Sequence, residues 1–393
     1  MQGVHGNLGL PGGWAGLAIL AIFATSIIIG LSFGGSGTQA AAAAGNENWR
    51  VAEPVTYENL SVFPVLAKNT ADTSAFATLD EALASGDAVV SEQGAEMIRR
   101  SREGAGTPDY RTVPLRESGA QVNQLVLVNR GKRPLLLLAG EVISGGKQDR
   151  IIGKDRIVPV GGEPLPLNVF CVERGRWSVA SAFVAAKMMA HPSVREKAAV
   201  AQNQSEVWAT VQAGTSSNLE ASSRVANAAP ALSADALREL ESTEAPTGSY
   251  VKMYGSPRVK GSVENFAQEV ERRFARATAN LKDEHLVGVV VSYGGEVAWS
   301  DVFASQQLFE RYWPKLLRSY VVEALARPEL KERASVEDAR EFLTRAGGHE
   351  RAESEPSVYR WIERTQDSFA DIELESLAPK TMTLHWLKVL RTN

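Results

Sequence analysis

Hydrophobic positions along the chain change their spacing several times, and each change predicts a different element. From Trp14 to Phe33 they are nearly continuous, with no charge and no Pro, and small residues follow through Gln39-Ala40-Ala41. A run of this kind is close to the roughly 20 residues that cross a bilayer, and the small residues after it suit a signal peptidase. Residues 1–45 therefore read as a cleaved signal peptide or an uncleaved membrane anchor. Either reading makes the rest of the chain secreted, periplasmic or membrane-anchored, with its folded part outside the cytoplasm.

Beyond the Ala-rich joint the pattern becomes β-like. Tyr57–Ala67 is rich in Val, Leu and aromatics and reads as a strand, as does Val89–Glu92. Between them Thr78–Ser85 carries the marks of a short helix: Thr78 as N-cap, Glu81 placed to close a capping box, and Gly86 just past the end. Ser101–Pro108 is polar and reads as a loop. Val122–Asn129 and Pro134–Glu141 are the strongest strand signals, and Arg130-Gly131-Lys132-Arg133 between them predicts a hairpin. Leu165–Glu173 is apolar at both parities, which predicts a strand covered on two faces.

A helical period takes over at Pro192, a good first helical residue. Val194, Ala198, Ala201, Ser205, Trp208 and Val211 share one face, with Gly214 as the stop. Residues 215–248 are dominated by small and polar types and predict a mobile excursion carrying one short helix, Ala234–Glu241. Ser262 then caps an amphipathic helix through Val263, Phe266, Val270 and Phe274 to Leu281. Leu286–Phe303 reads as a hairpin turning at Gly294-Gly295. The helix after it runs to Leu325, and Pro314 must start or kink it. Val336–Ala346 is a further helix and Met382–Leu390 a closing strand. The fold class is α+β: a sheet- or sandwich-like N-terminal half packed with helices, then a mixed α/β C-terminal half, in one domain over residues 46–393.

Composition sharpens this only by exclusion. With 44% hydrophobic and 22% charged residues the chain is ordinary globular material. A net charge of -4 supplies no basic stripe, so nucleic acid is not an expected partner. The single cysteine, Cys171, rules out an internal disulfide, and the five histidines have no metal-binding spacing, so no metal and no cofactor is expected.

Candidate chemistry gathers in two places. Gly140 to Arg150 interrupts the most apolar β segment with Glu141, Lys147, Gln148 and Arg150 around Gly145-Gly146. A carboxylate there is costly to bury unless paired or protonated, and the glycines permit close backbone approach. A P-loop is excluded, because Lys147 falls one position late and Gln148 follows it. The second cluster, Cys171 to Trp177, holds Glu173, Arg174, Arg176 and Trp177. Cys171 reads as a buried structural thiol, with a nucleophile as the alternative, because no histidine lies near it in the chain. In both places a structural salt bridge across a turn competes with a ligand pocket.

Taken together these clusters resemble a known family. Gly140-Glu141, Gly146-Lys147-Gln148, Arg150, Val158-Pro159 and Cys171-Val172-Glu173 with Gly175-Arg176-Trp177 are similar to the ARG-and-rhodanese-phosphatase-superfamily-associated protein domain family. Phe63-Pro64, Gln204, Val207-Trp208 and Asp301 with Phe303 fit as well, and Asp149 stands where Asn is expected. The resemblance implies a shared pocket and association with ADP-ribosylglycohydrolase and rhodanese-phosphatase-type proteins, but no particular reaction.

The expected function is an extracytoplasmic module binding or sensing a polar small molecule, nucleotide- or sugar-like, through Glu141, Lys147, Gln148, Arg150, Glu173, Arg176 and Trp177. One alternative is a hydrolase with Glu141 or Glu173 as general acid or base; another is a non-catalytic interaction scaffold. The membrane is a partner through residues 1–45 if they stay uncleaved, and the sequence names no protein partner.

Overall fold

A computed structural model describes residues 49–92, 96–100, 109–113, 124–176, 182–227, 233–328 and 330–391. The apolar run at 14–33, the joint at 39–41, the polar loop at 101–108 and Trp177 lie outside these residues. Among them no helix is long and apolar enough to cross a membrane.

The described helices are α1 (Leu79–Ser85), α2 (Pro192–Ala199), α3 (Gln204–Asn227), α4 (Ala234–Glu244), α5 (Tyr250–Gly255), α6 (Pro257–Ala277), α7 (Gln306–Ala326) and α8 (Val336–Thr344). With the strands they make an α+β fold.

Its spine is a large antiparallel sheet that draws on both ends of the described chain. In spatial order it runs Trp49–Val51, Leu60–Ala67, His285–Tyr293, Glu296–Phe303, Met382–Leu390, Phe369–Ser376, Tyr359–Thr365 and His349–Glu355, with Val55–Tyr57 folded back on Leu60–Ala67. Alternation divides its side chains between two faces. Val62, Leu66, Val289, Val291 and Trp299 pack in the core that holds α3, α6 and α7, whereas Phe63, Val65, Val290 and Val302 pack with Ala339 and Leu343 of α8. This explains why all eight residues of Leu60–Ala67 are buried.

A second antiparallel sheet has the order Val184–Met189, Glu141–Ser144, Arg150–Ile152, Leu165–Cys171, Gln124–Asn129, Ala88–Glu92. Beside it lies a small sheet of Arg156–Val158, Leu135–Leu137 and Ala77–Thr78, and Glu96–Arg100 pairs with Asp109–Val113. The run of leucines is buried on both parities because Leu135 and Leu137 enter one core while Leu136 and Leu138 enter the other.

Several local expectations hold. Thr78 and Glu81 form the capping box of α1, with Gly86 at φ 78° behind it. Pro192 opens α2, the hairpin turns between Tyr293 and Glu296, and Met382–Leu390 is a strand.

Others are corrected. Gln124–Asn129 and Leu135–Leu137 do not form a hairpin: the first pairs with Leu165–Cys171 and Ala88–Glu92, the second with Arg156–Val158 and Ala77–Thr78. The reason is Asn129, whose side chain donates to Arg133 O, Val158 O and Pro159 O and accepts from Gly131 N, holding the connection as an open loop. Leu165–Cys171 is covered on one face only, since Pro166 and Asn168 are exposed. The helix from Pro192 does not run to Gly214. It breaks at Gln202, whose φ is 53° and whose amide donates to Ala198 O and Ala199 O. The chain resumes in α3, where Asn203 accepts from Ser205 N and Glu206 N.

Gly214 sits inside α3 because a Cβ there would lie 2.9 Å from the His191 ring. The small residues after it remain helical to Asn227, with Asn218 and Leu219 buried. Ser262 lies within α6, which starts at Pro257, and Pro314 lies within α7.

Candidate functional site

The pairing of Glu141–Ser144 with Arg150–Ile152 aligns Val142 with Ile151 and Ile143 with Arg150, leaving residues 145–149 to reverse the chain. Gly145 and Gly146 take positive φ, at 128° and 54°, and Asp149 ties the reversal together. Its Oδ1 accepts from Ser144 Oγ at 2.7 Å and Gly145 N at 3.3 Å, and its Oδ2 accepts from Ser249 Oγ at 2.8 Å.

The second cluster docks onto this turn. Glu173 Oε2 accepts from Asp149 N at 3.1 Å and Arg176 Nε at 2.9 Å, while Oε1 accepts from Thr247 Oγ1 at 2.6 Å. Arg176 Nη1 reaches Gly146 O at 2.6 Å. Burial opposes the Glu173 charge, yet Arg176, Thr247 and the Asp149 amide outweigh it and hold the carboxyl below its usual range. The same bond to Glu173 raises the Arg176 guanidinium.

Glu92, from the far edge of the sheet, completes the group. Its Oε1 accepts from Lys147 N at 2.7 Å, and Lys147 Nζ stands 3.6 Å from Oε2. Arg150 is fully buried and paired in register with Cys171. Burial lowers the guanidinium, and the nearby Cys171, Glu92 and Asp149 partly restore it. Burial also pushes the Cys171 thiol up, against the pull of Arg150, so the neutral thiol is the resting form. Gln204 accepts from Cys171 N at 2.8 Å and donates to Cys171 O at 3.0 Å, completing the backbone bonds at the strand's end.

One side chain in this turn stands apart. Gln148 has no exposed surface, and among the described residues neither its Nε2 nor its Oε1 has a hydrogen-bond partner. A buried primary amide with all its donors and acceptors idle costs about 1–3 kcal/mol or more.

Of the residues singled out in the sequence, Lys147, Gln148, Arg150, Glu173 and Arg176 belong to this region together with Cys171, and Trp177 falls outside the described residues. Glu141 belongs elsewhere. Its carboxylate accepts from Leu138 N at 2.7 Å and from Lys315 Nζ at 2.5 Å, and Lys315 also meets Asp80 at 2.8 Å. Burial raises the Glu141 carboxyl in spite of Lys315. For Lys315 burial works against the charge, but the two carboxylates outweigh it and raise the ammonium.

A further polar centre was not anticipated as a site, although Asp301 was among the residues that fit the family. Asp301 receives two bonds from Arg195, at 3.0 and 2.8 Å, one from Trp299 Nε1 at 2.7 Å and one from Tyr320 Oη. His385 bridges Asp301, 3.0 Å from Nε2, and Asp155, 2.5 Å from Nδ1. Asp155 in turn accepts from Ala139 N at 2.7 Å. The carboxylates overcome burial and push His385 up to about 9, while Arg195 and His385 overcome burial to hold Asp301 well below the usual carboxylate range. A Cβ at Gly140 would collide with the Arg195 side chain, which accounts for glycine there. The available signal was a charged or ionisable residue at a buried parity of an apolar strand, as Asp301 and His385 both are.

The family model for the ARG and Rhodanese-Phosphatase-superfamily-associated Protein domain matches residues 48–388. The chain belongs to that family. The match takes in the Asp149–Glu173–Arg176 group, Gln148 and the Asp301 network alike, so all are parts of one family domain. No curated protein and no solved structure matches the chain.

Proposed function

We propose that this family domain binds a small polar ligand at the turn between Ser144 and Arg150, without chemical turnover. The observation that carries the reading is Gln148. Its neighbours Asp149 and Glu173 have their oxygens occupied, whereas its buried amide offers donors and acceptors that no described residue uses. A ligand with both kinds of group, such as a nucleoside or sugar, matches that offer, and Lys147, Arg150 and Arg176 with Glu92, Asp149 and Glu173 make the surroundings polar and mixed in charge. The hydrolase alternative gains less support. Glu141 lies in a separate buried group with Lys315 and Leu138 N, away from the turn, and Glu173 is held as a carboxylate by Arg176 and Thr247, which does not suit it to donate a proton. An extracytoplasmic setting is part of the proposal and rests on the apolar run at 14–33; a mature protein isolated from its host with Met1 intact and found in the cytosol would remove it.

The test of binding is thermal stabilisation by a panel of nucleosides, nucleotides and sugars, with a parallel assay for their hydrolysis. The expected result is a saturable rise in Tm with at least one compound, no turnover, and loss of the rise in Gln148→Leu. Turnover of the bound compound, or undiminished binding by Gln148→Leu, would overturn the reading.

A further inference from the structure

A second set of idle donors lies away from the Gln148 turn, where the small sheet meets the outer strands of the large one. A cavity of about 60 Å³ is floored by Leu137, Ile152 and Leu167 and walled by residues of Lys154–Arg156 and of the Glu353 and Tyr359–Trp361 segments. Both oxygens of Asp155 and one of Glu353 are already engaged. Asp155 spends its oxygens on Ala139 N and His385, and Glu353 accepts from Lys154 Nζ at 2.7 Å.

Two N–H donors of the lining residues are not. Trp361 is 2% exposed, and its buried Nε1 has no hydrogen-bond partner among the described residues. Arg156 donates through Nη1 to Pro166 O at 2.8 Å, yet its buried Nε is equally unpartnered. The face of the Trp361 ring is taken by Lys154 Nζ, 4.4 Å from the centroid, so the indole N–H is the ring's remaining polar resource.

Two residues with buried, unpartnered N–H groups, from separate elements, line one cavity, and those donors call for a guest that accepts hydrogen bonds. The volume restricts that guest to a few heavy atoms. We propose that this cavity is a binding site for a compact oxyanion, a short carboxylate or inorganic phosphate, held by Trp361 Nε1–H and Arg156 Nε–H with Lys154 nearby. The carboxylates of Asp155 and Glu353 offset the charges of Arg156 and Lys154, so binding rests on shape and donor geometry rather than on net charge.

The test uses the full chain labelled with ¹⁵N. The Trp361 indole resonance is identified by its disappearance in Trp361→Phe, which keeps the ring surface and removes the N–H. Sodium acetate and sodium phosphate are then titrated separately against chloride at matched ionic strength. The expected outcome is a saturable shift of that resonance with one of the two anions, not with chloride, weakened tenfold or more in Arg156→Lys. The arm that saturates identifies the source as a carboxylate or phosphate. No saturation with either anion, or saturation unchanged in Arg156→Lys, would overturn the proposal. Should Trp361→Phe fail to fold, the rise in wild-type Tm with each anion and its loss in Arg156→Lys decide the same question.

Discussion

Two buried polar regions of this domain are built by opposite rules. Around Asp301 the partners Arg195, His385, Trp299 and Tyr320 are all bonded to its carboxylate, and Arg195, Asp301, His385 and Asp155 have no exposed side-chain surface. Around Gln148 the carboxylates are just as well provided, through Ser144, Ser249, Thr247 and Arg176, but the amide between them is left idle among the described residues. The fold is therefore able to complete a demanding buried network, and the incomplete one stands out against it. A closed network costs desolvation and returns rigidity and a unique arrangement of strands; an open one keeps hydrogen-bonding capacity for something else.

The comparison breaks most visibly at its closed end. Asp301→Ala leaves Arg195 and His385 buried without their shared counter-ion, and the expected loss is about 3–5 kcal/mol in urea or guanidinium unfolding. A loss under about 1 kcal/mol would mean that the network is not the closed unit described.

The pH dependence comes next in size. His385 is raised in the folded state from 6.5 to about 9, so its contribution is fully present below pH 6.5 and is lost as pH climbs to about 9. From the size of that shift the loss is about 3 kcal/mol. Asp301, held low, acts in the opposite sense: its contribution is present above about pH 4 and is lost as the pH falls further. Denaturation curves measured across pH should show the alkaline loss in the wild type, and His385→Asn should flatten it. A slope between pH 6.5 and 9 that persists in His385→Asn would assign the titration to another group.

The smallest effect sharpens the open end. Gln148→Leu keeps the volume and removes both idle groups, so unliganded stability should rise by about 1 kcal/mol while binding is lost. A destabilised Gln148→Leu protein would mean that the amide serves the fold, and the contrast with Asp301 would disappear.

How much of this could be read in advance depended on the range of the interaction. The α1 capping box and the Gly294-Gly295 hairpin are written within a few neighbouring residues, and both stand as read. Cys171–Arg176 and Lys147–Arg150 were legible as polar interruptions of apolar strands. That Arg176 would close onto Gly146 depended on the order of strands in the second sheet. The three strands from His349 to Ser376 were not legible. His349–Glu355 is charged and exposed as an edge strand, so it lacks the alternation that marks a half-buried strand.

The sequence by itself determined the α+β class, the family, and the polar character of the turn at Ser144–Arg150, because composition, local periodicity and short motifs act over a few residues or carry family identity directly. Tertiary structure alone decided which charges met. Glu141 and Asp80 both found Lys315, 174 and 235 positions away, and Asp301 found Arg195 and His385, 106 and 84 positions away. Pairing across such separations follows from sheet order and helix docking. A carboxylate in an apolar strand announces only that it needs a partner; the fold selects the partner and, among the described residues, leaves Gln148 without one.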